Sequence, residues 1–141
     1  MARENLRKTG SRMEEIAALY LAEHGVRVLE RNFRSRNAEI DIVGEKDGTL
    51  LFIEVKARKE SEKSGTAAEA VGAAKQMKIC RCAEYYLYRK GIDPYRARIR
   101  FDVVAITMKE KEEESGPEIR WIPNAFAYAP YRPGKPHWRV W

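Results

Sequence analysis

The chain reads as one α/β domain, a mixed sheet flanked by helices in the order helix, three strands, helix, two strands. Three features predict it. Residues 11–24 and 67–89 carry apolar side chains at helical spacing. Two strand-like runs flank Asp47-Gly48, a strong hairpin turn signal. A fourth apolar run, with a shorter fifth, follows the second helix.

Each element has its own signature. Ser11 is placed to cap the first helix, with Glu14 and Glu15 in its first turn and Ile16, Leu19 and Tyr20 on one face. Gly25 ends it. Val26 to Phe33, Ala38 to Glu45 and Thr49 to Ala57 are the first three strands. The charged stretch Arg58 to Gly65 reads as a loop. The alanine-rich segment Ala67 to Arg89 reads as a long helix, closed by Gly91 and Pro94. Arg98 to Thr107 is the fourth strand, Lys109 to Pro117 an acidic hairpin tip, and Glu118 to Ile122 a short last strand. Residues 1–126 form the domain. Residues 127–141 read as an extended tail with Tyr128, Tyr131, Trp138 and Trp141 among prolines and cations. Such a tail either stacks on unpaired bases, packs on its own domain, or docks on a partner protein or second subunit.

Composition narrows the function classes. The chain has 141 residues and 27 Lys and Arg against 21 Asp and Glu, for a net charge of +6. A basic balance favours a polyanionic partner such as nucleic acid. No apolar run approaches a membrane span, and no apolar stretch follows the basic residues at the N-terminus, so neither membrane nor secretory signal is expected. Cys80 and Cys82 read as free thiols in a reducing cytoplasm, too few for a disulfide framework and short of partners for zinc.

The hairpin holds the chemistry. It reads Ala38-Glu39-Ile40-Asp41-Ile42-Val43, the turn, then Leu51-Phe52-Ile53-Glu54-Val55-Lys56. A turn centred between Asp47 and Gly48 pairs residues whose numbers sum to 95, which sets Asp41 opposite Glu54 and Glu39 opposite Lys56. Opposed side chains stand with Cβ atoms roughly 4.5–5.5 Å apart. Two carboxylates that close repel, and one pKa rises unless a cation lies between them. An oxygen-rich site of this kind suits Mg²⁺ or Mn²⁺. The alternative reading is a structural cross-strand ion cluster. The strand Leu50 to Ala57 is otherwise apolar and is expected to be covered on both faces, so its charges need partners.

Asp41, twelve residues, then Glu54-Val55-Lys56 resembles the PD-(D/E)XK nuclease signature of the restriction-endonuclease-like fold. A longer ordered series lies around it. Gly10-x-x-x-Glu14 with Ala17 and Tyr20-Leu21 is followed by Arg31-Asn32-x-Arg34 and Glu39-Ile40-Asp41. Phe52 to Lys56 with Arg58, Glu69-Ala70-Val71, Lys75-Gln76, Arg100 to Val104 and Asn124-Ala125-Phe126 complete it. Over residues 10–126 this series resembles the YraN-like family of bacteria, placed near the Holliday-junction resolvases. Ala38 stands where that family usually has Gly, and Ala57 where it has Thr. Neither departure removes a ligand, and the tail lies outside the resemblance.

The resemblance implies Mg²⁺-assisted hydrolysis of phosphodiester bonds in DNA. Asp41 and Glu54, with the Val55 carbonyl, would hold the ion; Lys56 would orient or deprotonate the attacking water. Glu14 matches an acid that resolvase-like nucleases add, or is a helix-dipole acid. Glu39 either tunes Lys56 or forms a cross-strand ion pair. Lys75 and Gln76 lie on a helix that often lends a residue to the site, or on a solvated face. Arg31, Arg34, Arg36 and Arg58 would bind phosphates without reading sequence, or are plain surface charges. Asp102 reads as a structural partner for an Arg. The expected enzyme is selective for nucleic-acid structure; a homodimer would give a junction cutter its two sites. The rival is a catalytically silent nucleic-acid-binding adaptor of the same fold.

Overall fold

The computed structural model describes residues 2–62, 71–109 and 116–128. Helix α1 spans Ala2–Glu23 and strands β1, β2 and β3 span Arg27–Arg34, Glu39–Lys46 and Thr49–Lys59. A 3-10 turn, Glu60–Glu62, precedes helix α2, Ala73–Lys90, and strands β4, Ile99–Met108, and β5, Glu118–Phe126. The sheet order is β1-β2-β3-β4-β5. Strands β3 and β4 are parallel and all other neighbours antiparallel. This is the predicted αβββαββ order, an arrangement consistent with the restriction-endonuclease-like fold. Among the described residues no helix is long and apolar enough to cross a membrane.

The sheet separates two apolar layers. On one face Met13, Ala17, Ala18 and Leu21 of α1 pack on Ile42, Leu51, Ile53, Val104 and Ile106. On the other, Ile79, Cys82, Ala83, Tyr86 and Leu87 of α2 pack on Val43, Phe52, Phe101 and Val103. Strand β3 is therefore covered on both faces, as its apolar run predicts.

Both helices end alike. Gly25 at φ 89° and Gly91 at φ 68° take the left-handed conformation. The following residues, Val26 and Ile92, donate to the carbonyls of Leu21 and Leu87, each at 2.9 Å, closing a Schellman motif. The hairpin turn is as predicted, with Asp47 at φ 51° and Gly48 at φ 77°. Its register holds from Lys46 opposite Thr49 to Ile42 opposite Ile53, every pair summing to 95.

Two helix starts differ from expectation. Helix α1 runs through Ser11 from Ala2, so Ser11 is no cap and Glu14 lies in mid-helix. Ala2, Arg3, Leu6, Arg7 and Lys8 are good helix formers with no proline among them, and Gly10 is tolerated within the helix. Helix α2 starts at Ala73 rather than Ala67, because Gly72 is its extended N-cap at φ −64° and ψ 160°. Residues 67–70, including Glu69 and Ala70 of the family series, lie outside the described residues, as do 63–65 of the loop, 110–115 of the hairpin tip and 129–141 of the tail. Strand β5 continues to Phe126, beyond the predicted Ile122; a bulge opposite Phe101 and Val103 lets it pass Pro123 at the sheet edge. Tyr128, at the start of the tail, packs on the α2-side layer with its ring 6.0 Å from that of Phe101. Burial and the Glu84 carboxylate raise its phenol pKa.

Candidate active site

The site forms where β1 and β2 change faces. Ile42 packs in the α1 layer and Ile40 in the α2 layer, although residues two apart in a regular strand share a face. Strand β1 does the same: Arg31 pairs with Glu15 of α1, while Phe33 packs beside α2. Between them Asn32 takes φ 54°, a conformation Asn tolerates better than most residues. Asp41 sits at this switch.

Here the β2–β3 ladder stops. The next step of the register would set Asp41 opposite Glu54. Instead the Asp41 carboxylate takes a backbone donor: the Val55 N–H donates to Oδ2 at 2.8 Å. The two acids remain close enough for Glu54 to raise the Asp41 pKa. The expected Glu39–Lys56 pair does not form, since the register that would align them ends at Ile42 and Ile53. Glu39 approaches Arg34 at 3.7 Å, and Lys56 is exposed with no ion pair among the described residues.

Three carboxylates from two elements converge. One oxygen each from Glu14 on α1 and Glu39 and Asp41 on β2 lies within 4.8 Å of the others. The helix α1 layer sets the first, and the face switch sets the other two. The Asp41 pKa is raised from 3.8 to about 7. Burial is the largest cause and Glu54 the next; the Val55 N–H opposes them, and Glu14 and Glu39 add to the rise.

Glu54 is buried, at 7% exposure, on the α2 side of β3. Lys75 of α2 reaches it at 2.6 Å, and that bond raises the Lys75 pKa. Gln76, the neighbouring sequence candidate, spends an amide donor on the Val71 carbonyl at 2.7 Å and so trims the start of α2. Val55 enters the site through its N–H. The arginines divide. Arg31 is held by Glu15 at 2.5 Å, and Arg34 leans on Glu39. Arg36 lies on the β1–β2 loop and lines a pocket beside the acids, whereas Arg58 lies further along β3.

Asp102 is a structural residue of the kind its apolar strand predicts. It is fully buried, takes two bonds of 2.8 Å from Arg100, one from Trp121 Nε1 at 2.9 Å and one from the Asn124 N–H at 2.9 Å. Both cysteines are buried and in no disulfide among the described residues, and burial raises the Cys82 pKa. Sequence reasoning missed the pocket side chains Lys78, Arg81 and Tyr85, although their i, i+3, i+7 spacing is legible as one helix face.

The motif series has counterparts in whole proteins. The chain is similar to a UPF0102 protein of Syntrophus aciditrophicus, 45% identical over 126 residues, covering 89% of this chain and 93% of that one. A UPF0102 protein of Chlorobium phaeobacteroides is 47% identical over 108 residues, covering 76% and 83%. One of Symbiobacterium thermophilum is 42% identical over 124 residues, covering 85% and 97%. The model of the family described as uncharacterised protein family UPF0102 matches residues 13–106, a span that runs from α1 through β4 and contains Glu14, Glu39, Asp41, Glu54 and Lys56. The chain that builds this acid cluster therefore belongs to the UPF0102 family.

Proposed function

We propose that the protein is a metal-dependent endonuclease of the PD-(D/E)XK superfamily, YraN-like and related to the junction resolvases, acting on DNA by structure rather than sequence. The observation that carries the reading is the convergence of Glu14, Glu39 and Asp41, with Glu54 beside them, at the end of an otherwise apolar sheet. A structural ion cluster balances its charges, yet this one keeps Asp41 near pKa 7, and among the described residues the cations paired with its acids are Lys75 and Arg34.

The donor set fits a hard divalent cation. Carboxylate oxygens are the ligands that Mg²⁺ and Mn²⁺ favour, and the proton that Asp41 retains marks where positive charge is wanted. Glu14, Glu39 and Asp41, with Glu54, would hold the ion, which supplies polarisation of the phosphoryl oxygen. The chain's own groups do the rest. The Val55 N–H fixes one Asp41 oxygen and leaves the other to the site. Lys75 neutralises Glu54 and sets its orientation. Lys56, two residues on and exposed with no ion pair among the described residues, would orient the attacking water through its ammonium, or take a proton from that water as the neutral amine. Arg36 and Arg34 lie beside the acids to take flanking phosphates.

The test is cleavage of labelled DNA with Mg²⁺, comparing the wild type with Asp41→Asn and Lys56→Ala. Both substitutions should lower cleavage at least a hundredfold while binding persists. Cleavage unaffected by either places the activity elsewhere and ends the proposal.

A further inference from the structure

Beside the acid cluster the loop joining β1 to β2 and the exposed side of α2 enclose a pocket of about 390 Å³. Arg34 at the end of β1 and Arg36 on the loop line it from one side, and Lys78, Arg81 and Tyr85 from the helix. Among the described residues, four cations and no acid line this cavity. Tyr85 adds an aromatic wall, stacked on Phe33 at 5.8 Å and bonded through its hydroxyl to Arg89 at 3.1 Å. The volume lies within the roughly 300–1,000 Å³ of small-ligand sites.

One ionic link joins this pocket to the acids, and a second lies one helical turn along α2 from its wall. Arg34 in its wall approaches Glu39 of the cluster at 3.7 Å. Lys75, one helical turn before Lys78, bonds Glu54 at 2.6 Å. A group in the pocket therefore lies next to whatever the acids act on.

We propose that this pocket binds one unpaired nucleotide of a nucleic-acid strand, its base against Tyr85 and its phosphate among the cations. Cations around a ring are the chemistry that recognises a planar base carrying an anion. A paired base reaches such a cavity only after unstacking, at a cost of a few kcal/mol that a single strand does not bear. The inference rests on the nuclease reading for its meaning: it makes the substrate DNA with an unpaired nucleotide next to the scissile phosphate.

Binding is measured by fluorescence anisotropy in EDTA, where no cleavage occurs, with a labelled ten-nucleotide oligothymidylate and a blunt duplex. Wild-type protein should prefer the single strand. Tyr85→Leu should weaken the single strand about fivefold or more and leave the duplex unchanged, while Tyr85→Phe retains binding. Lys78→Glu, on an exposed position, should weaken the single strand and reduce its log–log salt slope by about 0.7 for a lost phosphate contact. Competition by thymidine 5′-monophosphate distinguishes a site that takes a free nucleotide from one that requires the strand. Equal losses on both DNAs, or none on the single strand, overturn the pocket while leaving the nuclease reading intact. Pocket binding without any metal-dependent cleavage overturns the nuclease reading instead.

Discussion

Asp41 links stability to pH. Its folded pKa of about 7 lies above the unfolded value of 3.8, so the folded protein retains a proton that the unfolded chain releases across that window. Stability is therefore lost as pH rises from about 4 to 7, because ionising Asp41 in place is disfavoured. Asp41→Asn keeps an acceptor for the Val55 N–H and removes the charge. Relative to the wild type, it should gain about 2–4 kcal/mol at pH 8 and almost nothing at pH 4. Urea unfolding of both proteins at the two pH values checks this, and equal stabilities at pH 8 would show that Asp41 is not under charge stress. Lys75 makes the opposite point. Its stem and ammonium are half exposed, but its partner Glu54 is not. Lys75→Met should cost about 1–2 kcal/mol by leaving a buried carboxylate unpaired, and Glu54→Gln in the same chain should recover most of it.

At the scale of elements, three devices hold the sheet in register. Gly44 of β2 has no room for a side chain: a Cβ would lie 2.6 Å from Val26 Cγ1 and 3.3 Å from the Arg27 carbonyl. Gly44→Ala should cost about 1–3 kcal/mol, read as a lowered midpoint in thermal unfolding. Asp102 pins the β4–β5 bulge through Trp121 and the Asn124 N–H. Asp102→Ala removes the buried acceptor shared by Arg100, Trp121 Nε1 and the Asn124 N–H, and should destabilise by about 3–5 kcal/mol in urea titration. The third device is the Asp47-Gly48 turn. From it alone the sequence predicts the β2–β3 pairing residue by residue, because a two-residue turn and a period of two leave no freedom. That logic fails beyond Ile42 and Ile53. Asn32 at φ 54° turns β1 and β2 over, and no local signal in Arg31-Asn32-Phe33 announces a face switch. The Glu39–Lys56 pairing is lost there for that reason. Helix starts were less legible than helix ends, because two glycines with positive φ mark the ends while capping by Ser11 is only one of several uses of a serine.

At the scale of the whole molecule, the described residues form two apolar layers about one sheet, with the charged site where β1 and β2 change faces. The αβββαββ order and both cores follow from apolar periodicity. The site was legible as residue types, since an acid pair and a lysine in an apolar hairpin demand an explanation. Its geometry was not. Contact of Glu14 with Glu39 and Asp41 depends on how α1 crosses the sheet, and Lys75 finds Glu54 through the parallel β3–β4 crossover. A cation that binds the folded acids alone must stabilise the fold by linkage. Millimolar Mg²⁺ should thus raise the thermal midpoint of the wild type by about 2–4 °C for each kcal/mol of binding, and that of Asp41→Asn far less.

The most direct test of the central claim is cleavage of a labelled panel of four-way junction, flap, single strand and linear duplex, with Mg²⁺, Mn²⁺ or EDTA. Metal-dependent cutting of substrates with unpaired nucleotides, abolished by Asp41→Asn, Glu54→Ala and Lys56→Ala in folded proteins, is the predicted result. No cutting of any substrate by folded wild-type protein, with DNA binding unchanged by the three substitutions, contradicts it and leaves an adaptor that uses the fold only to bind.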